Sequence, residues 1–346
     1  MESVDNRPYF LSDYTEGAHP AVLEALIRTN LDKTPGYGLD PYCDEARDLI
    51  RRACGHPDAE VHFLAGGTQT NALIIGACLR PWQGVIASES GHISGHEAGA
   101  IEHGGHKVLA LPHTNGKLTA DTVRSACASY WSDENREHIV MPGMVYVSQP
   151  TEYGTLYTRD ELCALRDVCR EYSLILYADG ARLAYALACP ENDVTLKDLA
   201  ELTDVFYIGG TKCGALLGEA VVAKPGLLPH FFSVIKQHGA LLAKGRILGV
   251  QFGALFSEDL YLRIGKTAVA HADTIRAALR ERGYDLAYDA PTNQVFLRLE
   301  DRAMEQLSRH VAFSFWEKSD DTHTVIRLCT SWATTADDVA RLIGHL

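Results

Sequence analysis

The sequence of 346 residues is short of positive charge: Lys and Arg number 32 against 45 Asp and Glu, a net charge of −13. So acidic a field disfavours nucleic acid and anionic membranes as partners, while small anions held by local cations and helix N-termini stay possible. No apolar run approaches the ~20 residues that cross a bilayer. The opening stretch, MESVDNRPYF, has neither a basic segment nor an apolar one, so no secretory signal is expected. The nine cysteines contain no CxxC pair, which leaves no zinc-ribbon or thioredoxin spacing; they are expected to be reduced and to pack as small hydrophobes. Also missing are internal repeats, low-complexity segments, an HExxH helix, a Walker GxxxxGK[ST] loop and a GxGxxG fingerprint. What remains is a globular, cytoplasmic protein whose length suits about two domains, or one large α/β domain with an appendage.

Short apolar runs alternate with helical ones. VHFLAGGTQTNALIIGACL (61–79) reads strand, Gly-rich turn, helix; VIAS (85–88), HKVLALP (106–112), MVYVSQ (144–149), LILYADG (174–180) and DVFYIGG (204–210) read as strands. RDELCALRDVCREYS (159–173) is a strongly amphipathic helix. This alternation predicts an α/β fold with a mostly parallel sheet covered on both faces. From about 230 the pattern changes. Residues 241–258 and 260–282 read as mostly helical, and QVFLRL (294–299) and TVIRLCT (324–330) as strands. The expected division is a large domain over 1–249, with an N-terminal arm over 1–20, and a smaller α+β unit over 250–346.

Four places carry candidate chemistry. Lys212, in IGGTKCGALLGEA, has small neighbours and follows a strand; it is either a Schiff-base lysine or an exposed loop residue. Asp179 ends the strand LILYADG, where α/β sheets bind ligands, and could pair with a protonated ring nitrogen. Arg182, three residues on, is in reach of a phenolate or a carboxylate; the alternative for the pair is a structural salt bridge or turn cap. GGTQTN (66–71) joins strand to helix, so the free N–H groups of the helix start, with Thr68 and Gln69, suit a phosphate; an ordinary βα turn is the other reading. His92 opens a His-rich stretch that also holds His96, Glu97, Glu102, His103 and His106. Without a recognised metal spacing, stacking of its imidazole on a planar cofactor is the more attractive reading, and no metal site is assigned. Phosphate turn, His, strand–Asp–x–x–Arg and strand–Thr–Lys, in that order, match what pyridoxal 5′-phosphate requires.

At these residues the chain resembles the threonine aldolase family of the β-eliminating lyases, pyridoxal-phosphate enzymes of fold type I. The resemblance runs through LSDYTEG (11–17), GYGLDPY (36–42), FLAGGTQTN (63–71), SGHISGHEAGA (90–100), LYADGARLA (176–184), IGGTKCGALLGEA (208–220), TNQVF (292–296) and VIRLCTSWAT (325–334). It implies an aspartate aminotransferase-like architecture and retro-aldol cleavage of L-threonine, L-allo-threonine and related L-β-hydroxy-α-amino acids to glycine and an aldehyde. Lys212 would bond the cofactor, with Thr211 beside it. Asp179 would meet the pyridine nitrogen, and Arg182 the phenolate oxygen or the substrate carboxylate. Gly67 and Thr68 would bind the phosphate, and His92 would stack on the ring and serve in proton transfer. Ser12 and Arg327 match positions that hold the substrate carboxylate. Where many members carry a His after the strand, this chain has Glu152: a base, a water-mediated partner or a structural residue. Lys244, in AKGR, matches a cation that a neighbouring subunit places near the phosphate, ahead of Lys236 and Arg246; this implies at least a homodimer, and the family suggests a tetramer. An aminotransferase or a β-lyase would use the same lysine, aspartate and phosphate turn. A non-catalytic relative, or a metal-dependent hydrolase built on residues 92–106, stand further off.

Overall fold

The computed structural model describes residues 7–346; the first six residues of the expected arm lie outside it. The larger sheet contains β1 (Glu60–Leu64), β2 (Gln83–Ser88), β3 (Val108–Leu111), β4 (Met141–Ser148), β5 (Ile175–Asp179), β6 (Val205–Gly209) and β7 (Glu219–Ala223), in the order β1-β7-β6-β5-β4-β2-β3. The β2–β3, β2–β4, β4–β5 and β5–β6 pairs are parallel. β7 runs antiparallel to both β1 and β6, which makes the sheet mixed. The smaller sheet, β8 (Asp285–Leu286), β9 (Gln294–Glu300), β10 (Ser314–Lys318) and β11 (His323–Cys329), is antiparallel in the order β10-β11-β9-β8.

The larger sheet is apolar on both faces, and its strands show why. Met144, Tyr146, Tyr177, Val205 and Tyr207 enter the core on one face, while Val145, Val147, Leu176, Phe206 and Ile208 enter that on the other. This is the period of two expected of a strand with helices on each side. Each fully buried aliphatic side chain contributes about 1.5–3 kcal/mol relative to exposure. The helix Arg159–Glu171 starts at a reciprocal cap between Thr158 and Glu161 and buries Leu162, Leu165, Val168 and Cys169.

Two segments differ from the sequence reading. β7 begins inside the Gly-rich motif that ends at 220 and runs on to Ala223, a strand the sequence reading does not include. Residues 241–245 are not helical; the helix begins at Arg246. Tyr37 N–H donates to the Ala243 carbonyl at 3.1 Å, and a Cβ on Gly245 would stand 2.4 Å from the Gly38 nitrogen. Two backbone loops therefore press together where a helical turn was expected.

The helix Leu260–Glu281 spans both cores: Leu260, Tyr261, Ile264 and Ala268 pack with the larger sheet, and Ala272, Ile275 and Leu279 with the smaller. Phe10, from the N-terminal arm, is fully buried in the smaller core, and its backbone bonds to Ala312 and Cys329. All nine cysteines are free thiols; burial pushes those of Cys43 and Cys54 up to about 12. Among the described residues no helix is long and apolar enough to cross a membrane.

Candidate active site

A cavity of about 410 Å³ opens at the carboxyl ends of β4, β5 and β6. Ligands of α/β sheets bind at such strand ends, because the loops there are free to vary while the sheet holds their roots. Ser148 and Asp179 are the last residues of β4 and β5 and stand in register. Lys212 lies three residues past β6. The helix Gly67–Cys78 starts at the cavity wall, and its first internal hydrogen bond is Thr70 N–H to the Gly66 carbonyl at 3.0 Å. The N–H groups of Gly67, Thr68 and Gln69 thus lack a partner within the helix. A Cβ on Gly67 would come within 3.1 Å of the Tyr207 hydroxyl, tight enough that the tyrosine would have to give way. Gln69 turns away from the cradle: its Oε1 accepts from Ala65 N–H at 3.2 Å.

Enclosure pushes Lys212 below the ordinary lysine range, and the nearby Arg182 cation adds to this, so its amine gives up a proton more readily than a surface lysine. Glu219, the first residue of β7, is buried beside it. Burial pushes its carboxyl up to about 8 against the pull of Lys212, and Oε2 accepts from Gly210 N–H at 3.1 Å. Three donors converge on Asp179: Ala181 N–H on Oδ1 at 2.9 Å, and Tyr146 OH at 2.6 Å and Asn71 Nδ2 at 3.2 Å on Oδ2. Burial, with the charge of Asp179 beside it, pushes the Tyr146 phenol far up, so it stays a donor.

His92 is held at two points. Its Nδ1 lies 2.9 Å from Glu97 Oε1, and its backbone N–H donates to Glu152 Oε1 at 2.9 Å. The same Glu152 oxygen accepts from Ser148 Oγ at 2.7 Å. Burial raises the Glu152 carboxyl above the usual range, so it keeps a proton to higher pH than a surface glutamate. At the far end of the His-rich stretch, His106 Nδ1 meets the Gln83 carbonyl at 3.1 Å. Among the described residues no group of three or more His, Cys, Asp or Glu is placed to hold a metal ion. His96 lines the cavity and is held below the ordinary histidine range by burial, then by His92 and Arg327.

The cavity brings together Gly67, Thr68, His92, Glu152, Asp179, Arg182, Thr211 and Lys212. Ser12, Arg327 and Lys244 do not line it. Ser12 is buried with a hydroxyl that has no hydrogen-bond partner among the described residues, one residue before Asp13. Asp13 grips Arg182 through two bonds, Nε to Oδ2 at 2.7 Å and Nη2 to Oδ1 at 3.0 Å. Burial would raise the Asp13 carboxyl, but Arg182 and Lys212 outweigh it and leave it below the usual range. Among the described residues Arg327 bonds only neutral partners, Gln294 Oε1 at 3.1 Å and Ser314 Oγ at 3.2 Å, and lies over the Trp316 ring at 5.4 Å. Lys244 is exposed, outside the cavity of its own chain. Sequence reasoning passed over Asp13, Asn71, Tyr146 and Glu219. Asp13, Asn71 and Glu219 sit inside the quoted motifs, so motif position was the available signal; Tyr146, in a uniformly apolar strand, offered none.

These elements define a fold-type I architecture. The chain belongs to the beta-eliminating lyase family, which matches residues 9–303. It is 32% identical to a low specificity L-threonine aldolase of Pseudomonas aeruginosa over 314 residues, covering 88% of this chain and 87% of that one. A solved Leishmania major threonine aldolase is 43% identical, with 97% of each chain covered and a TM-score of 0.94. Aspartate aminotransferase from Thermus thermophilus, 18% identical with 98% of this chain and 90% of that one covered, shares the fold at a TM-score of 0.73.

Proposed function

We propose that this chain cleaves L-threonine, L-allo-threonine and related L-β-hydroxy-α-amino acids to glycine and an aldehyde, with pyridoxal 5′-phosphate as cofactor. One observation carries the reading. A lysine whose proton is weakened by enclosure, a carboxylate fixed by three donors and an open helix N-terminus share one cavity. The donor set fits a phosphorylated pyridine aldehyde. Lys212 supplies the amine, Asp179 an acceptor for a ring N–H, and Gly67 and Thr68 backbone donors for phosphate beside Thr211. When bound, the cofactor acts as an electron sink for the carbanion left at Cα.

The other steps belong to the chain. Arg327 and Ser12 take the substrate carboxylate: one is a cation with neutral partners only, the other a buried hydroxyl without one. Arg182 lines the cavity but is already paired, so its task is to hold that wall and keep a positive charge beside Lys212. His92 and Glu152 flank the place where a hydroxyl proton must leave. Fixing the Cα–Cβ bond against the ring is a matter of positioning, for which effective molarities make large contributions. Lys244 is read as the contribution of a second copy of the chain, so the working unit is a homo-oligomer, a dimer of dimers, in the cytoplasm.

The test is product analysis with L-threonine and L-allo-threonine in the presence of pyridoxal phosphate. Glycine and acetaldehyde in equal amounts are expected. A keto acid with ammonia, or transfer of the amino group, would move the function to a β-lyase or an aminotransferase.

A further inference from the structure

Glu97 takes no part in the reading above, yet it meets both His92 and Asn71. Its side chain is fully enclosed, and its Oε1 is shared by His92 Nδ1 at 2.9 Å and Asn71 Nδ2 at 2.7 Å. Its Oε2 has no partner among the described residues. A carboxylate offers only acceptors, so the His92 nitrogen facing it must carry the hydrogen. In the neutral ring the lone pair then falls on Nε2. Asn71 is just as fully committed. Tyr177 OH donates to its Oδ1 at 2.6 Å, which fixes which end of the amide is the donor. Its two Nδ2 hydrogens go to Glu97 and to Asp179, at 2.7 and 3.2 Å. No hydrogen on that amide is left over.

We propose that Glu97 is a positioning residue that fixes His92 as its Nδ1–H tautomer, and that Asn71, oriented by Tyr177, ties this pair to Asp179. His92 thereby presents Nε2 as the proton acceptor for the substrate hydroxyl, while Glu152, whose Oε1 already takes two donors, holds the His92 backbone. The logic is that of a carboxylate orienting a catalytic imidazole, here extended by an amide to a second carboxylate. The proposal rests on the cavity being a hydroxy-amino-acid site, but its first readout does not.

The experiment is ¹⁵N NMR of histidine-labelled holoenzyme, with the His92 signals assigned by their loss in His92→Gln. A hydrogen on Nδ1 and a bare Nε2 at neutral pH are expected. The reverse tautomer would overturn the proposal whatever the enzyme does. Glu97→Leu is expected to move the hydrogen to Nε2 and lower kcat roughly 10- to 100-fold with KM little changed. A folded Glu97→Leu protein that keeps the Nδ1–H tautomer and its turnover would also overturn it. Tyr177→Phe is the gentler variant, since Tyr177 touches neither the cavity nor His92. It frees the Asn71 amide to turn over, and should shift the His92 Nδ1–H resonance and lower kcat a few-fold; an unmoved resonance would remove Asn71 from the arrangement and sink the proposal as stated. If the tautomer is as expected but threonine is not cleaved, the function fails while the His92–Glu97 geometry stands.

Discussion

Arg182 and Arg327 invite comparison, because sequence position suggests carboxylate binding for both and their surroundings differ completely. Arg182 stands at the end of the larger sheet, largely buried, with two of its nitrogens on the fully enclosed Asp13. Arg327 stands on β11 of the smaller sheet, half-buried, bonded to an amide and a hydroxyl and stacked on Trp316. A guanidinium already matched by a carboxylate has little left to gain from a second one. One held by neutral groups keeps its charge for a ligand and is pre-oriented for a bidentate contact. The residue type is therefore a poor guide to the role, and the partner a good one.

The contrast can be broken from several sides. The largest effect is expected at the amine beside Arg182: Lys212→Ala should lower turnover by on the order of 10⁴ or more and remove the cofactor's lysine-bound absorbance. Steady turnover in that variant would detach the chemistry from this lysine. Arg182→Ala should act on stability, because it strands Asp13 in the interior; a loss of about 3–5 kcal/mol in urea unfolding is expected. Arg327→Ala should leave stability within about 1 kcal/mol but raise KM for the amino acid about 10- to 100-fold, the worth of a charge-assisted bond. If the two variants traded these phenotypes, the assignment would be inverted.

The smallest effect concerns Glu219. Its folded pKa of about 8 lies above the ordinary 4.5, so the native chain holds a proton that the unfolded chain has lost. Its contribution to stability is full below about pH 4.5 and is lost as pH rises through about 8. Glu219→Gln, which cannot ionise, should flatten that decline. Unfolding midpoints of the cofactor-free protein between about pH 5 and about pH 8 would show it, and parallel curves for the two proteins would mean that the carboxyl is ionised throughout.

Much of this was legible in the sequence. The strand ends before Asp179-Gly180 and before Gly210-Thr211-Lys212 announce themselves because a continuous apolar run gives way to glycine and polar residues, and that transition is local. The open turn at Gly67 and Thr68 is local too. What escaped depends on pairing at a distance. Asp13 meets Arg182 across 169 positions, and Asn71 meets Asp179 across 108. Neither leaves a periodic trace. Tyr146 and Tyr177 read as apolar strand residues, since their rings do pack in the core; that their hydroxyls end on Asp179 and Asn71 depends on how β4 and β5 register. Glu219 was hidden by the strand that carries it, a five-residue segment following a loop of the same small residues.

The arm that begins the described chain has a mechanical meaning. Phe10 is locked in the core of the smaller sheet, and Asp13 is clamped to Arg182 at the end of the larger one. Only Leu11 and Ser12 lie between these anchors, and the three steps from Phe10 to Asp13, fully drawn out, cover about 10 Å. Any swing of the smaller sheet away from the larger at this point can part the two anchors by no more than that span. Beyond it, either the phenyl ring must leave its socket or the buried ion pair must part.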